Sequence, residues 1–123
     1  MEIEVLNRYL SKLEGPGLIE KIHINEKSDI DELIIKFYGD TGTYDLGEIE
    51  LTFSGVEVMN LPQGFMTPVS ISIASREEIL NLFNANYLEG SCSLFKIRDS
   101  VGISWHVYAE SYKVNLLPVF YGK

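Results

Sequence analysis

Residues 40–43 read Asp-Thr-Gly-Thr. A carboxylate in such a segment does acid–base chemistry when a second carboxylate meets it, because two that share a proton have split pKa values and one becomes base, the other acid. The same composition is also what a tight turn between strands asks for. Further along, His106, Tyr108 and Glu110 alternate. On a strand they share a face and are positioned to line a small acid/base site, or to form its polar face. Cys92 and His106 supply a thiol and an imidazole, the elements of a nucleophile and its base. Cys92 nevertheless sits in the small-residue run Gly-Ser-Cys-Ser, with no activating charge beside it. His23 and His106 are the only histidines, and neither has a Cys or His neighbour at metal-ligand spacing, so no metal is expected. Neither a P-loop nor a GxGxxG stretch is present, so no cofactor is expected. Catalysis is left without strong support.

The elements that position these residues are legible as changes of period. Ile3, Leu6, Leu10 and Leu13 form one helical stripe, ended by Gly15-Pro16. Leu18, Ile22 and Ile24 share a parity and predict a strand to about residue 25, and Leu33, Ile35 and Phe37 predict a second. After the turn-forming Gly-Asp-Thr-Gly-Thr, a long strand changes phase twice, each time at a glycine, Gly47 and Gly55. That pattern predicts bulges that re-aim one face. Val69, Ile71 and Ile73 give a further strand, and Ser75 with Glu78 forms a capping box opening a short helix that buries Ile79, Leu82 and Phe83. Residues 87–97 and 101–109 predict a hairpin across Arg98-Asp99-Ser100, with Val101, Ile103, Trp105, Val107 and Ala109 all inward. Residues 114–120 predict a final strand, and Pro118 assigns it to an edge. The class is α+β: one domain over residues 1–123, mainly an antiparallel sheet of about six strands, with an N-terminal helix and one short helix packed on it.

Charge narrows the function classes. The chain carries a net charge of −8 over 123 residues, which argues against nucleic acid or an anionic membrane as partner, since both require clustered Lys and Arg. Residues 1–60 hold thirteen of the eighteen acids and five of the ten bases, and so carry the whole imbalance. Residues 26–50 alone hold eight acids against Lys27 and Lys36. Such a field keeps a protein in solution and also steers basic partners. A single cysteine and an acidic, periodic first segment without an apolar signal-like run point to the cytoplasm. No apolar run approaches the roughly 20 residues of a spanning helix.

Two resemblances bear on function. Asp40-Thr41-Gly42-Thr43, with the later Met59-Asn60-Leu61-Pro62, resembles the short retroviral type of aspartic protease, which works as a homodimer with one Asp per chain. The resemblance implies Asp40 as the catalytic residue. The chain departs from that pattern where Gly39 precedes Asp40, where Ser100-Val101-Gly102 opens a strand rather than a helix, and where Gln63-Gly64-Phe65 has one glycine in place of a Gly-rich flap. The succession of strands from Leu18 to about Glu110, and chiefly the stretch from Ile49 to Val58 with its Phe-Ser-Gly-Val turn of phase, resembles small bacterial immunity proteins of polymorphic-toxin systems. That resemblance implies a non-catalytic cytoplasmic antidote that binds a basic toxin domain. On charge, its interface is expected at Asp40, Tyr44, Asp45 and Glu48, with Tyr44 as aromatic anchor. The alternative is a self-associating domain, a homodimer formed across the exposed face of the Trp105 strand and residues 112–121.

Overall fold

The computed structural model describes residues 1–13, 17–24, 26–27, 30–38, 46–62, 64–65, 67–75, 77–79 and 92–118. Its elements are α1 (Ile3–Leu10), β1 (Gly17–Ile24), β2 (Ile30–Tyr38), β3 (Leu46–Asn60), β4 (Gly64–Phe65), β5 (Ser70–Ile73), β6 (Ser93–Arg98) and β7 (Ser104–Pro118), with a helical turn at 77–79. The strands form one antiparallel sheet in the order β4-β1-β2-β3-β7-β6-β5. Two three-stranded meanders, β1-β2-β3 and β5-β6-β7, thus meet along their last and longest strands.

The predicted helical stripe is buried: Leu6, Leu10 and Leu13 enter the main core, with Ile3 and Tyr9 alongside. Glu4 in the first turn and Arg8 in the last complement the helix dipole. The stripe covers inward side chains from both meanders, among them Leu33, Ile35 and Phe37 of β2, Ile49, Leu51 and Phe53 of β3, and Phe95, Ile97 and Val107 of β6 and β7. Phe95 links the halves, its ring lying 5.2 Å from Phe53 and 5.4 Å, edge-on, from Tyr112.

β3 and β7 change their inward face at the same level. Phe53 pairs with Tyr112 and Val56 with Ala109, all directed to the core, while Ser54 and Ser111 pair between them. The device is Gly55, whose φ of +62° lies in the left-handed region, where a side chain is strained. The register then shifts between Val56 and Val58, and also between Leu46 and Glu48 across Gly47. Both phase changes expected from the glycines are therefore real irregularities.

The opposite face of β6 and β7 carries a second, smaller cluster of Ala74, Leu94 and Tyr108, against which Ile79 and Cys92 pack. The capping box forms as expected: the Glu78 N–H donates to Ser75 Oγ at 3.3 Å. Leu82, Phe83 and the start of the expected 87–97 strand fall outside the described residues.

Three expectations need correction. The sheet has seven strands rather than about six, because Gly64–Phe65 pairs with Gly17 and Leu18 and brings the Phe65 ring 6.0 Å from that of Phe37. Gly17 permits this approach; a Cβ there would stand 2.6 Å from the Phe37 ring. Residues 104–109 and 114–118 belong to one strand, β7, not two, and residues 101–103 precede it. Beyond Ala109 it has β3 on one side and no described strand on the other, so an edge is found there as a continuation of the hairpin strand. Val101 and Ile103 are not inward but 60% and 49% exposed. They lie in a turn organised by the buried Asp99, whose Oδ1 accepts from both their N–H groups at 3.1 Å.

Candidate interaction surface

Among the expected interface residues, Glu48 is described and lies on the outer face at the start of β3. Asp40, Tyr44 and Asp45 lie outside the described residues, as does the rest of the Asp-Thr-Gly-Thr segment. Glu48 stands 3.6 Å from Lys36 Nζ, and Glu20 from β1 stands 3.9 Å from the same atom. Partial desolvation pulls the Lys36 pKa down, but Glu20 and Glu48, with Tyr38 and Glu50 behind them, outweigh it and hold it above 10.5. Lys36 is thus a fixed cation within an acidic surface, and Glu48 is partly engaged with it.

Among the described residues, most of the outer side of β1 has no strand beside it. Gly17 and Leu18 pair with β4, and beyond them no described strand pairs with residues 19–24 on that side. A bulge at Glu20 shifts the register so that Ile22 lies opposite Leu33, and a second irregularity between His23 and Ile24 shifts it back, leaving Ile24 opposite Ile30. These continue two apolar rows, Ile22-Leu33-Phe53-Tyr112 and Ile24-Ile30-Val56-Ala109, which run into the core. Both rows end uncovered: Ile22 is 40% and Ile24 58% exposed. His23 Nδ1 lies 3.4 Å from Asp31 on the adjoining strand.

The other outer edge is closed. Asn7 of α1 donates its side-chain N–H to the Ile71 carbonyl at 2.8 Å and accepts the Ile71 N–H at 2.7 Å. Its amide thereby stands where a neighbouring strand would pair with β5. No sequence signal pointed to Asn7. A cleft of about 460 Å³ lies beside it, lined by Ser11, Pro68, Val69, Ser70, Arg98 and Asp99.

His106, Tyr108 and Glu110 do not assemble into an acid/base site. Tyr108 is only 3% exposed and belongs to the second cluster, so the face expected for self-association is covered there. The side chain of Glu110 lies over Gly55, 2.7 Å from where a Cβ would be. His106 sits in a polar row with Asn60, whose Oδ1 accepts its backbone N–H at 2.7 Å, and with Lys96 directly across. Desolvation, and then Lys96, lower the His106 pKa, with Glu78 acting weakly the other way. Lys96 is itself committed to Glu78 at 2.8 Å, a bond that holds the Glu78 carboxyl below its ordinary range. Cys92 packs with the second cluster. No group of three potential metal ligands occurs among the described residues, and no described helix is long and apolar enough to cross a membrane. The Ser100-Val101-Gly102 segment leads into a strand, not the helix that an aspartic protease places there. Comparison with protein-family models, curated proteins and solved structures found no match.

Proposed function

We propose that this chain is a non-catalytic binding protein whose acidic meander receives a basic protein partner, in the manner of an immunity protein occupying the basic groove of its toxin. The observation that carries the reading is the division of charge between the two meanders. Residues 1–60, which form α1 and β1–β3, carry the entire −8. The same half ends in an open edge with exposed aliphatic side chains. Acidic residues that steer a partner, beside an apolar strip that retains it, are what a fast and durable protein interface requires. Asp40, Tyr44, Asp45 and Glu48 belong to that half, and Glu48 supplies its contribution beside Lys36.

The test is to express the products of the flanking genes and titrate any basic one into this protein by calorimetry, at several salt concentrations. Affinity is expected to fall as salt rises, and the variant carrying Asp40→Asn, Asp45→Asn and Glu48→Gln is expected to lose about tenfold or more. Binding indifferent to both salt and the triple substitution would sink the reading.

A further inference from the structure

We infer that the open edge of β1 is a strand-addition site, at which an extended, basic-flanked segment of the partner pairs with residues 19–24; the inference rests on the reading above and specifies its mode. Three observations support it. Backbone groups on that side of residues 19–24 have no strand partner among the described residues. Ile22 and Ile24 end two buried rows at this edge, so an added strand with aliphatic residues opposite them extends the core by one position in each row. The surrounding charge is acidic: Glu20, Glu26, Asp31 and Glu32, with Glu48 beyond them, stand against Lys21, Lys27 and the Lys36 that Glu20 and Glu48 share, with His23 beside Asp31.

A second copy of this chain is a poorer occupant. Self-pairing would bring together two copies of residues 1–60, each of charge −8. In a symmetric pair centred on Ile22, Lys21 would face His23 and Glu20 would face Ile24, with no compensating ion pair. Lys21 and the two register irregularities of β1 also discourage indiscriminate edge pairing, which leaves selection to a strand whose apolar residues match the two rows.

The probe is the capped peptide Lys-Thr-Val-Thr-Val-Thr-Lys, titrated into the intact protein to millimolar concentration and followed by NMR. Binding is expected to slow hydrogen exchange of the outward amides in residues 19–24 and to weaken at high salt. N-methylation of alternate peptide residues keeps the charge but removes the donors, and is expected to weaken binding about tenfold or more. Ile24→Lys is expected to weaken it severalfold, whereas Ile73→Lys, an equally exposed position on β5, leaves it unchanged. Equal binding of the methylated peptide, with salt sensitivity retained, would overturn strand addition while the acidic-surface reading stands. No binding, or protection appearing on raising protein concentration without peptide, also overturns it. Strand addition of the peptide that proceeds while a basic protein partner binds independently of salt would instead defeat the electrostatic reading alone.

Discussion

The two meanders share a plan and differ in finish. Each has three antiparallel strands, and each gives its last strand to the central β3–β7 seam. The β5–β7 half is neutral, and its second face is partly covered by the cluster around Tyr108. The amide of Asn7 engages the outermost strand of that half. The β1–β3 half is acidic, and its outer strand leaves Ile22 and Ile24 exposed. A sheet needs both edges managed; here one is managed from within the chain, and the other is left to blunting devices and, in the proposal above, to a partner.

That contrast can be broken most severely at the seam, where the halves depend on each other. Phe53→Ala removes a fully buried ring that touches Phe95 across the seam, and urea denaturation should show a loss of about 3–5 kcal/mol. Asn7→Ala leaves the Ile71 N–H and carbonyl without their partner and should cost about 1–3 kcal/mol in the same assay. Its effect should be largest in hydrogen exchange of β5 and absent from β1. Gly55→Ala forces a side chain into the left-handed region and against Glu110, for a loss of about 1–2 kcal/mol. Adding Glu110→Ala should recover the steric part and leave the conformational part.

Smaller effects separate the faces. The folded-state pKa of His106 is depressed, so the unfolded chain binds more protons there, and stability present above about 6.5 is lost as pH falls through the folded value. Thermal denaturation between pH 7.5 and 5 should show this decline shallower in His106→Gln. The smallest change belongs to the open edge: Ile24→Thr should alter stability by no more than about 0.5 kcal/mol, although the same residue is central to the proposed strand addition.

How far the sequence revealed this arrangement depended on whether a signal was local. The α1 stripe, the Ser75–Glu78 cap and the glycine-marked irregularities of β3 are local and were legible. In sequence β7 resembles two strands because its inward parity changes between Ala109 and Tyr112, which in one dimension looks like an end; only pairing with β3, where Gly55 makes the matching change, keeps the strand whole. Val101 and Ile103 continue an alternation that the Asp99 turn cancels. β4 is two residues long and has no period to read. For the candidate surface, the division of charge was plain in the sequence. That Ile22 and Ile24 end two buried rows was not, because the two register irregularities of β1, at Glu20 and between His23 and Ile24, decide which rows they join.

The bond between Asn7 and Ile71 has a consequence for how the chain may be divided. α1 precedes the acidic meander, yet it closes the edge of the neutral one. A cut between Asn60 and Val69 would separate the meanders along the chain but strip β5 of its amide partner and leave β3 and β7 each without the other. The two pieces would be interlocking rather than autonomous, each a template for the other. Such a split suits a complementation reporter, silent when the fragments are apart and restored when they are brought together.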